Sequence, residues 1–226
     1  MNLKQLAAAC ALDYVRNGMT LGLGSGSTMS CFLEMLGERL RCGELSGVTG
    51  VSSSENTTQR AREVGIPLST LDAHPRLDLA VDGADEVDPK RDLIKGKGRA
   101  LLREKVIACH AAEFVVIVEE TKLVPCLGTS APLPVEVSSF AALAHVRWLK
   151  HLGCRAEILR EDDDTLVVTD NGNHLVQCWF PDGIKQPYNL SRVLADRPGV
   201  LEHGMFLGMA DRVVVGREKG VLVMGG

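Results

Sequence analysis

The sequence predicts an α/β protein in which a parallel sheet covered by helices carries an inserted small α+β domain. Three observations predict it. From residue 20 to about 118, short apolar runs alternate with helical stretches, the pattern of strands buried on both faces. After Pro125 the character changes to strand runs and helices separated by turn signals, which suits a small antiparallel sheet. Two strand-like runs, Asp211–Val215 and Gly220–Met224, then close the chain, placed to return to the first sheet.

The elements follow in order. Leu3, Leu6, Ala7, Cys10, Ala11 and Tyr14 recur at helical spacing and predict an amphipathic helix ending near Gly18. Thr20–Leu23, Val48–Val51, Leu77–Val81 and Phe114–Val118 read as buried strands, with helices starting near Thr28, Ser54 and Lys97. Ser54 is the expected N-cap of its helix, and Gly65-Ile-Pro67 stops it. Pro132–Val137 reads as a strand and Ser139–His151 as helical. Three strand segments follow, separated by the acidic run Glu161–Asp164, a solvated hairpin tip, and by the tight turn at Asn171-Gly172. A helix over Gln186–Ala195 and a strand after Pro198-Gly199 complete the unit. The expected domains are therefore 1–127 with 205–226, and an insertion over 128–204.

Composition narrows the function. The 226 residues are 45% hydrophobic and 24% charged, which excludes collagen-like, low-complexity and disordered chains. With 25 Lys and Arg against 29 Asp and Glu, the net charge of -4 gives no pull toward nucleic acid or an anionic membrane. Two Trp, two Tyr and five Phe against 23 Gly argue against a stacking platform for bases and toward recognition by backbone and small polar groups. The seven Cys are scattered, with no C-x-x-C and no Cys/His pairing at metal spacing, as in a cytoplasmic protein with reduced thiols. Leu6-Ala-Ala-Ala-Cys10 mimics a lipoprotein cleavage site, but only five residues precede it and Asp13 interrupts the apolar run. No apolar run approaches the roughly 18 residues of a membrane span.

Four segments could carry chemistry. Gly22-Leu-Gly-Ser-Gly-Ser-Thr28 follows a strand and opens a helix, where free backbone N–H groups and the helix dipole make an anion site, with phosphate the leading ligand. It is neither G-x-G-x-x-G nor a P-loop, and no acidic residue ends the second strand, so a dinucleotide or nucleoside triphosphate is disfavoured. Asp82-Gly-Ala-Asp-Glu-Val-Asp88 follows another strand and points carboxylates into the crevice where such sheets bind ligands. An acidic turn and a magnesium site held by two carboxylates remain alternatives. Lys95-Gly-Lys-Gly-Arg99 sets ammonium groups beside flexible backbone, which suits an oxyanion. Glu104, on the helix that follows, would as a lone glutamate be an exposed ion-pair partner. Lys122 lies just past the strand Phe114–Val118 and overhangs the same crevice.

These segments, with Val51-Ser-Ser-Ser54, Arg103-Glu-Lys105, Pro132-Leu-Pro-Val-Glu136, Val168-Thr-Asp-Asn-Gly-Asn173, Pro198-Gly-Val200 and Gly204-Met-Phe206, together resemble the ribose-5-phosphate isomerase A family over nearly the whole chain. The resemblance implies a Rossmann-like domain with a ferredoxin-like insertion that contributes to oligomerisation. It implies a homodimer or dimer of dimers of a cytoplasmic enzyme of the pentose phosphate pathway, without cofactor or metal. It places sugar-phosphate binding on Ser25, Gly26, Ser27 and Thr28, on Asp82, Gly83, Ala84 and Asp85, on Lys95, Gly96, Lys97 and Gly98, and on Lys122. Ser25 stands where the family commonly has Thr and keeps the hydroxyl; Lys97 stands where Gly is common and would either crowd the pocket or add a phosphate contact. The family's proton acceptor falls on Glu104. Lys95 is the candidate for holding the enediolate charge, and Asp82 and Asp85 are both eligible for the proton shuttle between oxygens. Two other classes compete. A non-catalytic sugar-phosphate-sensing domain would bind without turnover, and a coenzyme A transferase would use a glutamate nucleophile and need a larger acyl site.

Overall fold

The computed structural model describes residues 1–225. In chain order the elements are α1 (Leu3–Leu12), β1 (Thr20–Leu23), α2 (Ser27–Arg41), β2 (Thr49–Ser52), α3 (Glu55–Glu63), β3 (Leu79–Asp82), β4 (Glu86–Val87), β5 (Leu93–Ile94), α4 (Leu101–His110), β6 (Phe114–Glu119), β7 (Leu133–Val137), α5 (Ala142–Lys150), β8 (Arg155–Ile158), β9 (His174–Trp179), α6 (Pro187–Ala195), β10 (Val200–His203), β11 (Met205–Phe206), β12 (Arg212–Arg217) and β13 (Gly220–Met224). They divide into two compact units, one of Met1–Ala84, Arg103–Lys122 and the described residues from Met209 on, the other of Asp85–Leu102 and Leu123–Gly208. The expected insertion, 128–204, lies within the second unit, which also takes in 85–102, 123–127 and 205–208.

The first unit is built on a six-stranded sheet in the order β13-β12-β6-β3-β1-β2. All its pairs are parallel except β12 with β13, so the last two runs of the chain do return to this sheet. The chain steps from β1 outward to β2 and then back across β1 to β3. The order therefore reverses between β1 and β3, which marks their carboxyl ends as the ligand-binding crevice of an open α/β sheet. β3 and nearly all of β6 are buried, as their apolar sequences require. α1 packs on α2, β6 and β12 through Ala7, Ala8, Ala11 and Leu12. It stops at Leu12, short of the expected Gly18, because Asp13 caps it and the chain then turns, with Gly18 at a φ of 79°.

In the second unit, β7, α5, β8, β9, α6 and β10 form an antiparallel sheet in the order β10-β7-β9-β8, the ferredoxin-like arrangement. Its core joins Leu133, Val135 and Val137 of β7 to Val146 and Leu149 of α5 and Leu194 of α6. Ala141, at a φ of 56°, delays α5 to Ala142. The middle one of the three expected strand segments, between the acidic run and Asn171, is not a strand: it has the isolated bridge of Arg160 with Leu166. The buried Glu136 carboxylate takes that segment instead, its Oε1 accepting from Thr169 Oγ1 (2.9 Å), Asn171 Nδ2 (3.0 Å) and Asn173 Nδ2 (2.9 Å). Side chains that bond locally to a buried carboxylate draw the backbone into a turn rather than a ladder. Asn171-Gly172 makes the expected turn, closed by Thr169 N–H on Asn173 O. A separate sheet of two-residue strands, β11-β5-β4, had no counterpart in the sequence reading.

Candidate active site

In the first unit the candidate residues gather at the carboxyl ends of β1 and β3. Gly24 N–H donates to Val81 O, locking the two strand ends together (2.9 Å). A Cβ on Gly24 would overlap the Asp82 carboxylate, so this glycine is required for the close approach. Asp82 is 3% exposed, and its Oδ1 accepts from the backbone N–H of Ser25 (3.0 Å) and of Gly83 (2.7 Å). The Ser25 hydroxyl donates to Glu104 Oε1 on α4. Glu104 is only 4% exposed, which overturns its reading as a surface ion-pair partner. Ser25 thus touches both carboxylates, through its backbone and its side chain.

The loop then opens α2 with Gly26 as N-cap, at a φ of 95° and with no side-chain capping bond. The first N–H groups of α2, with Ser27 and Thr28, lie at the helix start where the sequence predicts an anion. Lys4 was not singled out by sequence. α1 brings its Nζ to 2.9 Å from Ser27 Oγ and 3.6 Å from Glu119 Oε1, so a cation stands at the start of α2. Only the packing of α1 on α2 reveals it. Lys122 lies half-buried in the 3-10 turn that follows β6, at the same edge of the sheet as Asp82.

The acidic motif divides between the units. Asp82, Gly83 and Ala84 belong to the first, while Asp85 and Glu86 open the second. Asp85 N–H donates to Ile94 O (2.7 Å), and Asp85 Oδ2 accepts from the backbone N–H of Lys97 (2.9 Å). That carboxylate therefore shapes the loop Lys95–Gly98. Glu86 is fully buried and structural. Its carboxylate accepts from the backbones of Gly128 (2.5 Å), Ser130 (2.5 Å) and Ala131 (2.7 Å) and from Ser130 Oγ (2.8 Å).

Lys95 is 3% exposed, its N–H donates to Gly204 O (2.8 Å) and its ammonium lies 5.4 Å from the centroid of the Phe206 ring. Gly96, at a φ of 110°, and Arg99, at 68°, keep the segment out of a helix. α4 consequently starts at Leu101 rather than near Lys97. The Lys97 side chain is exposed, so it does not fill the interior of its unit. Among the described residues, no three His, Cys, Asp or Glu side chains gather as a metal-binding group, and no helix is long and apolar enough to cross a membrane.

A helix start without a side-chain cap and two buried carboxylates at a topological switch point define the class: an open α/β protein whose polar side chains gather where such sheets bind ligands. A family model described as ribose 5-phosphate isomerase A (phosphoriboisomerase A) matches residues 49–220. The ribose-5-phosphate isomerase A of Roseiflexus castenholzii is 48% identical over 97% of this chain and 93% of its own. A protein of Arabidopsis thaliana named probable ribose-5-phosphate isomerase 3, chloroplastic, is 43% identical over 99% of this chain and 83% of its own. A solved D-ribose-5-phosphate isomerase in complex with phospho-erythronic acid superposes with a TM-score of 0.96 and 41% identity, over 100% of both chains. This chain belongs to the ribose 5-phosphate isomerase A family. The sensing alternative finds no support, since these relatives are named as isomerases.

Proposed function

We propose that this protein is the aldose–ketose isomerase its family name denotes, interconverting D-ribose 5-phosphate and D-ribulose 5-phosphate, with Glu104 as the group that carries the proton. One observation carries the assignment of Glu104: it is a carboxylate withdrawn from solvent at the switch point of the sheet and held in one orientation by the Ser25 hydroxyl.

The reaction moves one proton from C2 to C1 and another from O2 to O1. Glu104 takes the C2 proton, the C2–H electron pair becomes the C1=C2 bond of a cis-enediolate, and the charge collects on O1. The same carboxyl returns its proton to C1 once O2 has given its proton up and O1 has received one. A base placed in this way contributes roughly 10²- to 10⁴-fold. Lys95 supplies fixed positive charge to the enediolate, and Asp82 or Asp85 carries the oxygen proton. Ser25, Gly26, Ser27 and Thr28, with Lys4 and Lys122, hold the phosphate, so that remote binding energy serves orientation. Gly83, Ala84 and Lys95–Gly98 line the sugar with backbone. No step calls for a metal or cofactor. An aldonic acid phosphate such as phospho-erythronic acid presents a planar carboxylate in place of the enediolate, so competitive inhibition is expected.

The second domain, over 128–204, serves oligomerisation in this reading, and the active form is a homodimer or dimer of dimers in the cytoplasm. Its support is that several large apolar side chains of that segment are exposed, Phe140 at 84% and also Leu143, Val168 and Leu201.

The test is direct. Purified protein with EDTA and ribose 5-phosphate should form ribulose 5-phosphate at the rate seen without chelator. Activity that vanishes on chelation would contradict the metal-free reaction, and a Phe140→Asp variant of unchanged mass in sedimentation would contradict the interface.

A further inference from the structure

The acidic run Glu161–Asp164 reads in the sequence as a solvated hairpin tip, and Arg99 ends the cationic stretch that begins at Lys95. The second unit, which holds both, brings them together. We infer that Glu161 is a positioning residue for the loop Lys95–Gly98, acting through Arg99, on the reading above that this loop lines the sugar.

Three observations carry it. The first is that the loop ends in a strained residue. Gly96 to Arg99 form a turn closed by Arg99 N–H on Gly96 O (2.9 Å), and Lys97 N–H within it donates to Asp85 Oδ2 (2.9 Å). Arg99 closes this turn at a φ of 68°, in the left-handed region that a side chain with a Cβ disfavours. Such a residue persists where its surroundings over-determine it. The second observation is what does so here. Arg99 Nη1 donates to Glu161 Oε1 (2.5 Å) and Nη2 to Glu161 Oε2 (3.0 Å), the two-pronged pairing of guanidinium with carboxylate that fixes direction as well as distance. The third is that Glu161 is itself anchored. Its N–H donates to Thr165 O (2.9 Å) and its carbonyl accepts from Asp164 N–H (3.0 Å). Asp163 Oδ1 accepts from the Thr165 hydroxyl (2.6 Å) and N–H (3.1 Å). The hairpin tip is thus a folded turn that presents one carboxylate to the end of the loop.

The physics of such a pair places its effect in the loop rather than in the fold. With the two side chains 43% and 45% exposed, it adds little to global stability. Locally it offsets the strain at Arg99 and eases the repulsion among Lys95, Lys97 and Arg99, three cations within five residues. In the reading above the loop serves the reacting end of the sugar while Ser25–Thr28 take the phosphate. A loop released from Glu161 therefore costs turnover more than affinity, because misplaced groups lose rate.

The test is Glu161→Gln, which keeps the size and removes the charge, with Asp162→Asn as the control for the same change in net charge one residue along. Hydrogen–deuterium exchange in peptides covering 95–100 should quicken in Glu161→Gln and stay at the wild-type rate in Asp162→Asn. Turnover of ribose 5-phosphate by Glu161→Gln should fall roughly three- to tenfold in kcat, with KM within about twofold and the melting temperature held. In an Arg99→Gly background, where the left-handed position carries no strain and no guanidinium remains, adding Glu161→Gln should cause no further loss, as for two residues that act as one unit. Unchanged exchange in Glu161→Gln overturns the inference whatever the activity, as does an equal loss of kcat in Asp162→Asn or an equal further loss in the Arg99→Gly background. Faster exchange with unchanged kcat leaves the clasp standing and takes the loop away from the sugar, which is the failure of the earlier reading and not of this one.

Discussion

The two units hold their candidate residues by different means. In the first, Asp82 ends and Ser25 and Lys122 follow parallel strands of four to six residues, and their positions come from sheet topology. In the second, Asp85 and Lys95 flank strands of two residues each, and their positions come from buried polar groups. Asp85 holds the backbone of Lys97, Glu86 gathers 128–131, and Gly204 receives Lys95. A site placed by topology is supported by many equivalent ladder bonds, whereas one placed by single carboxylates and one glycine has few substitutes for any of them. Point changes in the second unit should therefore act through catalysis more than through binding, and changes to the glycine loop of the first should act on both.

The largest effect expected in the second unit is from Lys95→Met. It should lower kcat on the order of 10²-fold, as removal of one preorganised charge partner does, with the melting temperature held, measured by steady-state kinetics beside a thermal melt. Next is Gly24→Ala in the first unit, whose new Cβ meets the Asp82 carboxylate. The cost should be about 1–3 kcal/mol of stability, as for overpacking, together with a fall in activity, read by denaturant unfolding. Wild-type stability for this variant would break the claim that β1 and β3 meet as described. Smaller again is Lys4→Ala, which removes a cation from the start of α2. It should raise KM by roughly tenfold with less change in kcat, the size of one charged hydrogen bond.

The smallest effect concerns His145. Burial and the nearby Arg197 hold its ring below the ordinary value of 6.5. The folded state therefore binds its proton later than the unfolded chain does. Stability is complete above about pH 6.5 and declines as pH falls below it. His145→Leu should flatten the dependence of melting temperature on pH between about 7 and 5; an unchanged slope would assign that sensitivity elsewhere.

How much was legible in the sequence follows the same division. The parallel strands, the glycine loop, Asp82 and the return of the last two runs were readable, because buried strands and phosphate-type loops have local signatures. The role of Glu104 was not readable from its spacing, since a glutamate between Arg103 and Lys105 has the composition of a surface helix. The Ser25 hydroxyl that donates to it lies far away in the chain, and only the family resemblance pointed to it. Lys4 carried no signal of its own, because it is placed by the packing of α1 on α2. The segment after the acidic run misled for a physical reason: its strand-like composition loses to the three bonds that Glu136 draws from Thr169, Asn171 and Asn173.

The proton carried by Glu104 is the central claim, and ribose 5-phosphate deuterated at C2 tests it most directly. Wild-type protein should convert it with a primary isotope effect and place part of the deuterium at C1 of ribulose 5-phosphate, the mark of a single carboxyl that takes and returns the same hydron. Glu104→Gln, which keeps the size of the side chain, should fold normally, lose roughly 10²- to 10⁴-fold in turnover and release no deuterium to solvent. Turnover or exchange at the wild-type rate in that variant would contradict the account.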